Sequence, residues 1–386
     1  MTKFIENRLA AMKTRSDARV IAMATEMKGV INLKGGDPDF DTPTYIRDAA
    51  KNALDEGKTH YPPNPGLPEL RKAVAEYHGM DNVDWKPSEV IITAGSGVSL
   101  FVSIAGTVNQ GEEVVLLEPY FMDYSNIVEY VGAKEAGVPL DEKRGYRLDV
   151  ETLNENVTNK TKLIILCNPN NPSGTVYTET ELQKIAEIAI DNDVLVLSDE
   201  AYREFVWDGR KHVSIASLTE MKNRTIICSS FSKTFAMTGW RLGYTLATED
   251  IAKRLQKIPI GFRTNTFTQV AGVAAMKGPK EPREKMIKEF DKRRQFMVPR
   301  LNEIEGIRCH MPEGAFYLFP NIKDIGLKSE PFCESLLKEE KLLLRPGTGF
   351  GKSMEYHVRL PLIKPIDTLE EIAMKIEDHV KKLTHS

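Results

Sequence analysis

Short apolar runs recur along the first two thirds of the chain, and each ends in a polar or glycine-rich cluster. Six of them, at 89–93, 114–117, 162–166, 194–198, 225–228 and 243–247, read as strands. Residues 98–105, entered through Ala94-Gly95-Ser96-Gly97, read as a helix, and Leu182, Ile185, Ala186 and Ala189 form one apolar stripe at helical spacing. Strands that are apolar at nearly every position and alternate with helices predict an α/β fold: a mostly parallel sheet covered on both faces. Ligands in such sheets bind beyond the carboxyl ends of the strands. The polar clusters of this chain come just there.

Beyond about residue 280 the pattern changes. Residues 279–294 are highly charged and helical in spacing. Two short strand candidates follow at 314–319 and 356–360, and an amphipathic helix closes the chain from about 369 to 383. This part reads as a smaller α+β domain, with the N-terminal helix and residues 31–43 expected to pack on it. The expected organisation is a large domain over 47–285 and a discontinuous small domain built from 1–46 and 286–386.

A length of 386 residues suits two such units better than one core. Apolar and charged fractions of 41% and 28% are those of a soluble globular protein. The net charge of −3 comes from interspersed acids and bases, which argues against a nucleic-acid partner. No apolar run approaches the roughly 20 residues needed to span a bilayer, and the charged N-terminus lacks an apolar signal core. No membrane partner and a cytoplasmic location are expected. Cys167, Cys228, Cys309 and Cys333 make no CxxC and read as reduced thiols. The seven histidines show no ligand spacing, so no metal is expected.

Four clusters carry candidate chemistry. In SSFSKTFAMTGWRLGY, Lys233 follows a strand and stands among hydroxyls, with Arg241 eight positions on. Lys233 can be a solvated surface charge, a phosphate ligand beside Ser230, Ser232 and Arg241, or an amine that forms a Schiff base. Asp199 ends an apolar strand, so its carboxylate is expected to be poorly solvated and to need a cation; a helix cap is the plainer reading. Asn168-Pro169-Asn170-Asn171-Pro172-Ser173-Gly174 is turn chemistry, although an asparagine there can aim its amide at a ligand. Ala94-Gly95-Ser96-Gly97 opens a helix, where N–H groups and the helix dipole favour an anion. A fifth stretch, ending Gly351-Lys352-Ser353, imitates a nucleotide-binding loop, but Pro346 stands where the pattern needs glycine.

Taken together, SFSKTFAMTGWRLG, NPNNPSG, SDEAY, GGDPDFDTP and HVRLPL resemble, in order and spacing, the class I pyridoxal-phosphate aminotransferases, the aspartate aminotransferase-like group of fold type I. The resemblance covers nearly the whole chain. It implies a pyridoxal 5′-phosphate cofactor joined covalently to Lys233, which also moves the substrate α-proton. It implies that Asp199 pairs with the pyridinium nitrogen and that Tyr202 and Asn171 reach the phenolic oxygen. Ser230, Ser232, Arg241 and the N–H groups of Ser96 and Gly97 would hold the phosphate, and Phe121 would stack on the ring. Tyr61 would reach the phosphate of the partner subunit, which implies a homodimer with shared sites. Arg359 would grip the substrate α-carboxylate by a two-pronged contact, helped by the backbone of Gly36. The implied reaction is ping-pong transfer of an amino group from an L-amino acid to a 2-oxo acid, with 2-oxoglutarate the expected acceptor. The donor is left open among aspartate, alanine and aromatic amino acids.

Some positions depart from the group. Relatives that use aspartate often carry lysine where this chain has Gly97. Arg263 stands where relatives have a small polar residue, and Lys34 and Arg345 are further unusual cations beside site motifs. Each reads either as a solvated charge or as a contact to an acidic substrate side chain. A C–S β-lyase of the same fold is the nearest rival activity. A regulator that kept the fold is the other, and the short run before GGDPDF is expected to leave no room for its DNA-binding domain.

Overall fold

The apolar runs become strands because both faces of the sheet they form are covered. In the computed structural model, which describes residues 9, 12, 17–259 and 264–384, the strands are β1 (Ile31–Asn32), β2 (Val90–Thr93), β3 (Glu113–Glu118), β4 (Lys134–Pro139), β5 (Thr161–Cys167), β6 (Leu195–Asp199), β7 (Thr225–Ser230), β8 (Gly243–Leu246), β9 (Tyr317–Leu318), β10 (Leu342–Leu343), β11 (Arg345–Pro346) and β12 (Val358–Pro361). Seven of them make one sheet, in the order β2-β8-β7-β6-β5-β3-β4. Along β3, Val115 and Leu117 face a core shared with Leu182, Ile185 and Ala186 of the helix Glu179–Asp191. Val114 and Leu116 face the opposite core, with Leu100 and Ile104 of the helix Ser96–Thr107. Side chains alternate across a strand, so two buried faces require an unbroken apolar run.

All six expected strands lie in this sheet. The seventh, β4, pairs in parallel with β3 at the sheet edge. Its sequence, KEAGVP, carries charge, glycine and proline, as edge strands often do, and no apolar run announces it. The sheet is mostly parallel, with β8 the exception: it runs antiparallel to both β2 and β7.

This topology collects the polar clusters on one edge. Strands β2, β3, β5, β6 and β7 point the same way, so Gly95, Phe121, Asn171, Asp199 and Lys233 all emerge beyond their carboxyl ends. Because β8 runs backwards, Arg241 enters it from that same edge. Gly243 lies in register with both Thr93 and Ser230.

The C-terminal part builds a core of its own, which Tyr202 and Phe205 from beyond β6 also join. Helices Glu281–Asn302, Ser329–Glu340 and Ile366–Thr384 pack around Phe290, Phe316, Phe332, Leu336, Leu369 and Ile372. Val20 and Leu33 from the N-terminal part join this core, and β1 pairs in parallel with β10. A small antiparallel sheet of order β11-β12-β9 sits here. The imitation nucleotide loop belongs to this region, where the N–H and hydroxyl of Ser353 donate to the Glu118 carboxylate.

Behind the site edge lies a buried charge cluster. Arg203 donates to both carboxylate oxygens of Asp81 at 2.8 and 2.9 Å and to His78 Nδ1 at 2.7 Å. Glu200 accepts from Ser214 at 2.6 Å and lies 3.2 Å from His212 Nε2. Burial and Arg203 hold the His78 pKa well below its ordinary value, so Nε2 carries the proton and donates to Tyr244 at 3.0 Å.

The crowding at Gly243 gives a direct test. A Cβ there would stand 2.6 Å from Gly95 C, 2.7 Å from Ser96 N and 2.9 Å from Ser229 O, all backbone atoms. Gly243→Ala should cost about 1–3 kcal/mol, seen as a lower thermal midpoint by circular dichroism. Gly239→Ala, with no atom within 4 Å of its Cβ position, should leave the midpoint in place.

Candidate active site

The strand ends and the C-terminal part enclose a cavity of about 330 Å³. Every site residue expected from the sequence lines it except Tyr61 and Arg263. Tyr61 is 87% exposed and outside this cavity. Arg263 lies outside the described residues.

Asp199 closes β6 and is buried. Its Oδ2 accepts from the Tyr124 hydroxyl at 2.7 Å, and its Oδ1 from the Ala201 N–H at 3.1 Å. Burial pushes its pKa up to about 6, against the pull of those two hydrogen bonds. Tyr124 was not foreseen. It lies three residues beyond Phe121 in EPYFMDY, in the first turn of the helix Asp123–Tyr130, and its ring meets Phe121 edge-on at 5.7 Å.

Lys233 sits in the short helix Phe231–Thr234, set off by β7, with Ser230 capping it through a 2.9 Å bond from the Ser232 N–H. Its Nζ donates to the carbonyl of Gly36. Burial lowers its pKa to about 8, with repulsion from Arg359 and Arg241 adding to the shift and Asp37 and Asp199 opposing it. This lysine is therefore not a surface charge. Gly36 approaches so closely that a Cβ would run into the Tyr317 hydroxyl. Tyr317, a second unforeseen residue, is hydrogen-bonded to the Tyr202 hydroxyl at 2.6 Å.

Beside Lys233, Arg241 holds a left-handed backbone conformation, φ 53°, with Nη1 donating to Thr238 O at 2.9 Å. Gly95, at φ 87°, lets this guanidinium lie against the start of the helix Ser96–Thr107; a Cβ on Gly95 would strike it. A guanidinium, two serine hydroxyls and a helix N-terminus thus face one spot, an arrangement that suits a phosphate.

The asparagine-rich loop divides its labour. Asn168 and Asn170 hold the loop itself, donating to Val213 O at 3.1 Å and Pro119 O at 3.0 Å. Asn171 alone of the three lines the cavity, and its Oδ1 accepts from Arg359 Nη1 at 3.2 Å. Arg359 Nη2 donates to the carbonyl of Lys34 at 2.8 Å. Its guanidinium lies 4.7 Å from the Tyr317 ring centre and 5.0 Å from that of Phe350, and its buried Nε has no partner among the described residues.

An amine poised near neutrality, a buried acid, an anion cradle and a buried arginine converge on one cavity. Residues 28–376 match the family model for class I and II aminotransferases. The chain belongs to that family. It is a transaminase of fold type I. It is 41% identical to an aspartate aminotransferase of Pyrococcus abyssi, over 98% of this chain and 100% of the relative. It is 40% identical to an aromatic-amino-acid aminotransferase of Thermococcus litoralis, over 98% of each. Among solved structures, an aromatic aminotransferase from Pyrococcus horikoshii superposes with a TM-score of 0.91 at 39% identity, covering 97% of this chain and 98% of the other.

The depressed pKa of Lys233 sets a pH window. A lowered lysine pKa means the reactive neutral amine appears as pH rises through about 8 rather than 10.5. Labelling of the cofactor-free protein with an amine-reactive reagent, followed by peptide mass spectrometry, should show Lys233 reacting well below the pH at which surface lysines do. A Lys233 profile that coincides with theirs would remove the basis for its activation.

Proposed function

We propose that this aminotransferase uses pyridoxal 5′-phosphate to move an amino group from an L-amino acid to a 2-oxo acid, with 2-oxoglutarate as the acceptor. The observation that carries the reading is the meeting of Lys233, Asp199, Arg241 and Arg359 in one cavity. The donor set fits the cofactor. Buried Asp199 calls for a cation, which the pyridinium nitrogen is; the Arg241 cradle suits a phosphate; Lys233 is an amine of lowered pKa.

When bound, the cofactor supplies an aldehyde that condenses with amines and a ring that accepts the electron pair released at the substrate α-carbon. The protein does the rest. Asp199 keeps a proton on the ring nitrogen, and Tyr124 keeps Asp199 ionised and oriented. Ser230, Ser232, Arg241 and the N–H groups of Ser96 and Gly97 hold the phosphate, and Phe121 covers the ring. Tyr202 and Asn171 hydrogen-bond the phenolic oxygen. Arg359 grips the α-carboxylate, with Gly36 beside it, and this fixes which bond of the substrate faces Lys233. The Lys233 Nζ then takes up the proton leaving the α-carbon. Burial makes each of these charge contacts stronger than it is in water.

Exposed Tyr61 supports a homodimer in which it serves the partner's phosphate. Four unbridged cysteines support a cytoplasmic setting; among the described residues, no helix is long and apolar enough to cross a membrane. The C-terminal core, joined by Val20 and Leu33 from the N-terminal part, supports a small domain from 1–46 and 286–386 beside a large one over 47–285.

A donor panel read by absorbance tests the proposal. The protein loaded with pyridoxal phosphate should show a visible band that each true donor converts to the pyridoxamine form, and 2-oxoglutarate should restore it. Lys233→Ala should lower turnover by about 10²–10⁴-fold. Failure to take up the cofactor would end the reading. Release of pyruvate and ammonia with no acceptor present would transfer it to the β-lyase.

A further inference from the structure

Strands β11 and β12 place two arginines directly opposite each other: Arg345 is the register partner of Arg359. Opposite residues in an antiparallel pair project from the same face, and like charges there destabilise the pair. Both side chains line the cavity. Two devices offset the repulsion. Both guanidinium groups donate to one carbonyl, that of Lys34, through Arg345 Nε and Arg359 Nη2. Arg345 Nη1 also makes an ion pair with Asp17, whose carboxylate acts on Arg359 as well.

Asp17 is unusual for its place. It occupies the N-cap position of the helix Ala18–Glu26, where an aspartate normally caps the first turn with its own carboxylate. Here the side chain makes no cap hydrogen bond. It is turned to Arg345 instead, 1% exposed, while the Arg345 side chain is 14% exposed. The site therefore holds one arginine for an α-carboxylate and, beside it, a second arginine already neutralised by a carboxylate of the chain itself.

We propose that Arg345 reads the side chain of the amino donor and that Asp17 is the internal acid it holds when that side chain carries none. The inference rests on the aminotransferase reading of the site. An acidic donor held at Arg359 brings its second carboxylate to Arg345 and takes the place of Asp17. A neutral donor, aromatic or aliphatic, leaves the Asp17–Arg345 pair intact and meets no unpaired charge. One cavity thereby admits both classes, and Asp17 sets the balance between them by competing only with the acidic one.

The test compares kcat/KM for aspartate, glutamate, phenylalanine and alanine in the wild-type holoenzyme, Asp17→Asn, Arg345→Gln and the double variant. Asp17→Asn should raise the acidic-to-neutral ratio about tenfold, and Arg345→Gln should lower it about tenfold. In this ratio the double variant should match Arg345→Gln, since the competition proposed for Asp17 is exerted at Arg345, while its pull on Arg359 is common to all donors. A ratio unmoved by either substitution, or additive effects in the double variant, overturns the proposal. If Asp17→Asn does not fold, Arg345→Gln alone decides: loss shared equally by acidic and neutral donors rejects the side-chain role. These failures leave the wild-type enzyme active with at least one donor, whereas failure of the aminotransferase reading leaves it inactive with all.

Discussion

An ionised carboxylate buried at the end of an apolar strand costs several kcal/mol unless cations and hydrogen bonds answer it. Asp199 is that carboxylate, and much of the site is arranged around the cost. Tyr124 and the Ala201 N–H occupy its oxygens, yet its pKa still stands near 6. Lys233 pulls it toward ionisation, and Asp199 in turn draws the Lys233 pKa up against burial. In the proposed reading, the cofactor's cationic ring nitrogen would complete this balance. Neighbouring Glu200 has its charge answered from behind, by Arg203 and His212, so two adjacent acids on one turn serve two different partners.

Sheet topology explains why these groups meet at all. Those between Ser96 and Arg241 come from scattered segments whose ends the shared direction of the strands brings to one edge, and the C-terminal part adds Arg359 across the cavity. The reversal of β8 matters as much as the parallel strands, because it lets Arg241 arrive from outside the sheet rather than leave it. Gly95 and Gly243 then bring the backbones close enough for the guanidinium to lie over the helix start.

The long apolar strands were legible because burial on two faces leaves a plain periodicity. Edge strand β4 was not, since one side of it lacks a neighbour and its residues are polar. Lys233, Asp199 and Arg359 stood out through family motifs, and the position of Asp199 after an apolar run gave a physical reason as well. Turn chemistry alone did not separate the three asparagines; the family motif singled out Asn171, and the contacts add that Asn168 and Asn170 hold the loop while Asn171 lines the cavity. Tyr124, Tyr317 and Asp17 escaped because each acts through another side chain. The one hydroxyl in the apolar run 314–319 is the signal by which Tyr317 could have been found. Gly36 is expected to contact the substrate carboxylate through its backbone, and its carbonyl accepts a hydrogen bond from Lys233 Nζ.

The run from Lys34 to Gly36 has a consequence for the thermodynamics of binding. Two of its three carbonyls, those of Lys34 and Gly36, already serve Arg345, Arg359 and Lys233. A ligand arriving at these donors breaks about as many hydrogen bonds as it forms. Affinity then arises from the exchange of a neutral acceptor for an anionic one, worth roughly twice as much per bond. Neutral isosteres such as amides gain nothing from that exchange. Discrimination in favour of acids over their amides is thus built into a peptide backbone, through the oxygens that any newcomer has to replace.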